Sequence, residues 1–269
     1  MIQNFFVRRE IRGVPYYSCL ALEESPHVRH GFSTRQGGVS PLPQADLNLS
    51  YVSWDAPERV GENRRRFLSA LDLSATRLVT LAQIHSDRLH IIEETPSQRN
   101  RRLEGDALAT VRPGTALAVQ VADCFPILLA DGRANAVAAI HAGWRGILAR
   151  VLTKTVAALR ASLGTDPGNL RVAIGPAIRR CCFEVGEDVV AQFRAAYPRV
   201  ELAEPRAGCP GKHLLDLRRA LDIQCAEAGI PPGNIFDLQA CTRCNPGEFF
   251  SYRAEGAHSG RMMGVIARV

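Results

Sequence analysis

The chain has 269 residues, 46% of them hydrophobic, enough apolar side chains to bury a sizeable core in one large domain or two small ones. Its 33 basic residues outnumber its 27 acidic ones for a formal charge of +6. That balance suits acidic ligands such as phosphate esters, but the basic residues are scattered, with tight clusters only at Arg64-Arg65-Arg66 and 99–102, so solvated faces are expected and no nucleic-acid partner follows.

No apolar run approaches the roughly 20 residues of a membrane span, and residues 1–10 lack the basic start and apolar stretch of a secretory signal. The expectation is a cytoplasmic chain with no membrane association. In such reducing surroundings its eight cysteines are thiols or metal ligands rather than disulfides.

Residues 1–24 read as a β-hairpin, with Phe5-Phe6-Val7 and Val14-Pro15-Tyr16-Tyr17 on either side of a charged, glycine-containing turn. HGFSTRQGGVS follows from His30, a glycine-rich loop whose amides and Arg35 can hold an anion or simply make a turn. Residues 56–71 carry early acidic residues, central arginines and apolar positions at helical spacing, so an exposed amphipathic helix is expected. Strands at 78–81 and 89–92 flank His85, and Gly105-Asp106-Ala107 makes a turn bearing a carboxylate.

The central stretch begins with the apolar run 116–121, which stops at Asp123-Cys124 before Pro126. Proline cannot donate to a central ladder, so it marks a break or an edge. Ile127-Leu128-Leu129 resumes the run, Asp131-Gly132 turns, and 136–140 reads as a second buried strand with His141 at its end. If the runs pair around that turn, Cys124 and His141 approach each other. Residues 147–163 predict one uninterrupted helix closed by Gly164. A strand at 170–174, a helix at 189–197, an irregular loop at 200–212, a helix at 214–229, and strands at 235–238 and 262–269 complete the chain. There is no long linker or repeat, so one mixed α/β domain spanning 1–269 is expected.

A cysteine and a histidine placed by neighbouring strands suit two chemistries. They can be a nucleophile and its base, or two ligands of a zinc ion that needs a third protein ligand if its fourth position is to stay open. His85, at a similar polar strand end, is the candidate third ligand. Cys241 and Cys244 form a CxxC without a second pair at finger spacing. Cys181, Cys182 or Cys209 are candidates to complete a structural zinc site there, with packing or a turn as the simpler account.

Several segments together resemble the YfiH-like family, variously called laccase-domain proteins, multicopper polyphenol oxidases, peptidoglycan editing factor and multifunctional purine nucleoside phosphorylases. They are HGFSTRQGGVS from His30, QIHS from Gln83, GDAL from Gly105, VADCFPILLAD from Val121, AIHAGWRG from Ala139, IGPAI from Ile174, FFSYR from Phe249 and SGRMMG from Ser259. The resemblance implies a single α/β domain with two β-sheets packed between helices. It also implies a metal pocket of His85, Cys124 and His141 that holds zinc, with copper as the alternative metal. The implied substrates are adenosine, inosine, guanosine or methylthioadenosine with phosphate, and the implied side activity is adenosine deamination. Ala254, Phe183 and Ser259 depart from the family's usual residues, which bears on substrate preference. A monomer or weak dimer is expected.

Zinc with an open position lowers the pKa of bound water to about 7, which suits attack on the purine C6. Phosphorolysis instead requires phosphate held at the ribose C1′ and a stabilised departing base. Arg35, Arg145 and Arg253 are the anion-binding candidates, although Arg145 also reads as a residue beside a helix N-terminus. Asp123 is expected to orient a ligand histidine, to act as acid or base, or to serve as a hydrogen-bond acceptor behind the ligands. Gln83 is expected to contact ligand or cap its strand, and Phe250 to stack on a base or pack in the core. The competing readings are a Cys-His hydrolase of a cell-wall precursor, with Cys124 as nucleophile and His141 as base, and a copper polyphenol oxidase. The latter is disfavoured by a chain with seven histidines and with Met262 and Met263 far from the trio in sequence.

Overall fold

In the computed structural model, which describes residues 5–41, 46–93, 103–133 and 136–269, alternation along the apolar runs builds a mixed α/β fold of stacked layers. In Thr115–Val121, Leu117 and Val119 face one side while Ala116 and Ala118 face the other, and all four are buried. Phe125–Asp131 alternates likewise, with Leu128 and Ala130 opposite Ile127 and Leu129. A strand apolar on both faces must be covered on both.

Two six-stranded sheets satisfy that demand. The first runs in the order Phe6–Ile11, Val14–Cys19, Val28–Ser33, Met262–Arg268, Thr115–Val121, Arg77–Val79. The second runs Ile235–Asp237, Leu170–Ile174, Phe125–Asp131, Ala136–Ala142, Ala107–Thr110, Leu89–Ile91. Their inner faces share one core containing Leu117, Val119, Leu128, Val137 and Ile266. The helix Pro57–Ala70 covers the outside of the first sheet through Phe67, and Val151–Leu163 and Leu217–Glu227 cover the second. Complete burial of each such leucine, valine or isoleucine contributes about 1.5–3 kcal/mol before entropy is counted.

Three expectations are corrected. The break before Pro126 is present, since the chain leaves the first sheet at Val121 and enters the second at Phe125, but Pro126 is not at an edge: its strand pairs on both sides, with His141 directly opposite Pro126. It is tolerated as the second residue of the strand, where its missing N–H costs little and its carbonyl accepts from Gly175 N at 2.9 Å. The helix expected over 147–163 is two helices, Trp144–Leu148 and Val151–Leu163, separated by Arg150 at φ +66°. Its guanidinium donates to the Ala196 carbonyl, pairs with Glu227 and lies 4.1 Å from the centre of the Tyr197 ring, contacts that hold a left-handed residue in place.

The third correction concerns 200–212, which is not wholly irregular. Ala203–Pro205 and Lys212–Leu215 join Glu184–Gly186 in a small third sheet that the apolar pattern did not announce. Leu214 and Leu215 therefore belong to a strand, and the following helix starts at Leu217 with Asp216 capping it by accepting from Arg219 N. Arg65 and Arg66 both pair with Glu62 on a helix face, whereas the cluster at 99–102 lies outside the described residues. No helix among the described residues is long and apolar enough to cross a membrane.

Burial pushes the His30 imidazole down to about 4, and its Nε2 accepts from Cys19 N at 2.9 Å. An unfolded histidine titrates near 6.5. The folded state thus binds fewer protons between those values, so this contribution is complete above about pH 6.5 and falls by about 3 kcal/mol as pH drops towards 4. His30→Gln should show a shallower loss of denaturation midpoint between pH 7 and 4.5 than the parent. Parallel losses in the two proteins would refute the assignment.

Candidate metal centre and active-site cavity

One residue from each of three chain segments reaches a common point at the ends of the central strands. Cys124 stands between Thr115–Val121 and Phe125–Asp131, His141 lies near the end of Ala136–Ala142, and His85 sits in a turn at φ +58°. Their ligand atoms lie within 4.8 Å of one another. Cys124 Sγ is 3.9 Å from His85 Nε2, and the two imidazole rings meet edge to face with centroids 4.9 Å apart.

The group that arranges them is Asp106, wholly buried at 0% exposure. One of its oxygens is 2.8 Å from His141 Nδ1 and 3.0 Å from the His85 main-chain N. The other accepts from Ser86 N, Ser86 Oγ and Ile84 N. An ionised carboxylate only accepts, so His141 carries a proton on Nδ1, which leaves Nε2 as the atom that would face a metal once its own proton is lost. Burial alone would push the Asp106 carboxyl up, but the hydrogen bonds from His141 and Ser86 outweigh it and hold it at about 2.

The same balance acts on the neighbours. Burial disfavours the Cys124 thiolate, yet the His141 charge beside it brings the thiol down to about 6. Burial also disfavours the imidazolium, while Cys124 and Asp106 raise His141 to about 9. Gly143 is required for this approach: a Cβ there would stand 2.8 Å from His85 Cδ2 and 3.1 Å from Cys124 Sγ.

A thiolate and two imidazoles, one backed by a buried carboxylate, form a donor set that fits a metal of zinc-like softness. A blue-copper arrangement would bring a methionine near the trio. Met262 instead packs with Val121, Phe249 and Phe250, and Met263 with the outer core of the first sheet.

The trio lines a cavity of about 630 Å³ together with Gln83, Asp123 and Arg253 among the residues singled out in the sequence. Gln83 caps its strand: its amide donates to the Gln120 carbonyl and accepts from Gln120 N, both at 2.7 Å. Asp123, at φ +87°, accepts from Thr242 Oγ1 at 2.6 Å and from Arg253 N at 2.7 Å. Both its oxygens are engaged, and the orientation of a ligand histidine belongs to Asp106 instead.

Three candidates fall outside the cavity lining. Arg35 is 7% exposed and paired with Asp46 and Glu255, its charge satisfied inside the protein. Phe250 is buried beneath that guanidinium. Arg145 is exposed on the first turn of Trp144–Leu148 and lies over the Trp144 ring. Sequence reasoning passed over Asp106, Gln120, Tyr252 and Arg261. GDAL, FFSYR and SGRMMG contain three of these, but nothing local announces that they gather around the trio.

These features define a mixed α/β protein with a Cys-His-His group in the wall of a cavity lined by both polar and apolar side chains. The chain belongs to the family described as multi-copper polyphenol oxidoreductase laccase, whose model matches residues 29–269. A protein of Deinococcus radiodurans named purine nucleoside phosphorylase is 41% identical over 240 residues, covering 89% of this chain and 88% of the relative. Adenosine deaminase RL5, from an unknown prokaryotic organism, is 36% identical over 244 residues, covering 88% and 93%. The crystal structure of YlmD from Geobacillus stearothermophilus superposes with a TM-score of 0.86 at 33% identity, covering 98% of this chain and 99% of that one.

Asp106→Asn would take the charge from behind His141 and turn an acceptor into a mixed donor and acceptor. Affinity for zinc at the trio should fall about 10- to 100-fold, read by competition with a chromogenic chelator in protein whose circular dichroism is unchanged. Unaltered affinity would remove Asp106 from its positioning role.

Proposed function

We propose that this chain is a zinc-dependent purine nucleoside phosphorylase. It converts adenosine, inosine, guanosine or methylthioadenosine and phosphate to free base and (methylthio)ribose 1-phosphate, and it also deaminates adenosine. The observation that carries the reading is the His85, Cys124, His141 centre sharing one cavity with Arg253 and Arg261. The names of the relatives support it, and the cavity volume is of the order that takes a small molecule.

Zinc held by the trio would act as a Lewis acid and bring bound water to a pKa near 7. In phosphorolysis a phosphate oxygen forms a bond to C1′ as the bond from C1′ to the base nitrogen breaks, and the electron pair leaves with the purine, which takes up a proton. Arg253 and Arg261 donate through their guanidinium groups to main-chain carbonyls of Glu184, Ser259 and Gly260, which leaves their positive charge available to an anion. Gln120 Nε2 is buried at the cavity wall without a partner among the described residues and supplies a donor for the base. Phe183 and Tyr252, each beneath one of these arginines, give the base apolar faces.

A second reading rests on a specific feature. Cys124, His141 and Asp106 are also a thiolate, an imidazolium and an orienting carboxylate, the set that a Cys-His hydrolase of a cell-wall precursor would use. Hydrolysis that survives complete chelation would favour it.

Metal-quantified protein incubated with adenosine should give adenine and ribose 1-phosphate only when phosphate is present, and inosine without it. His85→Ala and Cys124→Ala should each lower turnover by about 10²-fold or more. Neither product from zinc-loaded protein would sink the adenosine assignment. Arg261→Ala should raise the KM for phosphate by about tenfold, equivalent to about 1.4 kcal/mol. An unchanged KM would take Arg261 out of the phosphate site.

A further inference from the structure

A second group of metal-ligating side chains stands outside the trio. The sulfurs of Cys181, Cys182, Cys241 and Cys244 lie within 4.8 Å of one another, brought together from two loops about 60 positions apart in the chain. Cys244 Sγ is 3.7 Å from Cys181 Sγ and 3.4 Å from Cys182 Sγ, and all four cysteines are free. A disulfide requires about 2.05 Å between sulfurs. Four thiolates arranged tetrahedrally at about 2.3 Å from one zinc ion stand about 3.8 Å apart. The observed separations match the second geometry.

The loops are built to present these sulfurs. Arg179 O accepts from Cys182 N and Phe183 N, which makes the turn carrying the vicinal pair. Cys241 and Cys244 are the ends of a CxxC turn, and the main-chain N–H groups of Arg179 and Cys244 both reach the Cys241 sulfur. The two loops are joined by Ala177 N to Ala240 O and Thr242 N to Ala177 O. Cys181 and Cys244 are exposed, so an ion can enter from solvent, while Cys241 is buried.

We propose that Cys181, Cys182, Cys241 and Cys244 bind one zinc ion as a closed, structural four-thiolate site. Each thiol that becomes a ligand releases its proton to solvent. With four protein ligands the ion has no open position, so the site clamps rather than catalyses. What it clamps is the wall of the cavity. The first loop carries Ile178 and Phe183 to the lining, and the second carries Thr242 to Asp123 and leads to Tyr252 and Arg253. The assignment is independent of the nucleoside reaction.

The test begins with the full chain purified under reducing conditions and carrying His85→Ala and His141→Ala, which disables the trio. Elemental analysis and native mass spectrometry should find about one zinc per chain in this protein. Adding Cys182→Ser and Cys244→Ser should abolish it, and Cys244→His alone, which keeps a zinc-ligating side chain, should retain it. Cobalt substituted into the trio-disabled protein should show sulfur-to-metal charge transfer and the intense visible bands of a tetrahedral thiolate site. A trio-disabled protein that binds no zinc and leaves these cysteines freely alkylated would overturn the proposal. So would a chain lighter by two hydrogens with Cys182 and Cys244 joined. If the serine variant does not fold, the zinc content and cobalt spectrum of the trio-disabled protein decide the matter.

Discussion

The cavity depends on one buried carboxylate. Asp106 fixes His141 through its ring nitrogen and His85 through its main chain, so a single side chain sets the distance between two imidazoles that are 56 positions apart in sequence. Its burial would be costly for a lone charge, but the oxygens accept from His141, His85, Ile84 and Ser86, and that number of donors offsets the lost hydration. The left-handed backbone at His85 is held by the same contacts.

Asp123 plays a corresponding part on the other side of the cavity. Its carboxylate gathers Thr242 and Arg253, and its carbonyl accepts from Ile178 N at 2.8 Å. The four cysteines lie on the same two loops, one holding Ile178 and the other Thr242. The cavity therefore has two kinds of wall. Strand ends and the turn at His85 supply the trio beside strands buried on both faces, while the segments at Phe183 and Arg261 and the short helix Tyr252–Glu255 supply the arginines and aromatics and are tied by side chains.

Charge is distributed to match. Arg35 is neutralised inside the protein by Asp46 and Glu255, whereas the guanidinium groups of Arg253 and Arg261 meet main-chain carbonyl oxygens where they line the cavity. From composition alone these three arginines are equivalent. Which of them can greet an anion is settled by the partners that folding brings, since a guanidinium already paired with two carboxylates has little attraction left for a third anion.

The sequence by itself determined what depends on local chemistry and on periods of two and 3.6. Alternating or continuous apolar runs placed the central strands, the helices Pro57–Ala70 and Glu187–Ala196 lay close to their expected spans, and His85, Cys124 and His141 stood out as reactive side chains at the polar ends of such runs. Tertiary structure decided everything that required a partner distant in the chain. Arg150 breaks a helix that has no local breaker because Glu227, Ala196 and Tyr197 hold it, and Lys212–Leu215 becomes a strand because Glu184–Gly186 and Ala203–Pro205 lie beside it. Asp106 reads locally as a turn residue and becomes the organiser of the trio only once Ala107–Thr110 pairs with Ala136–Ala142. Propensity and pattern act over a few residues, whereas a buried charge is stable only where the whole fold assembles its donors.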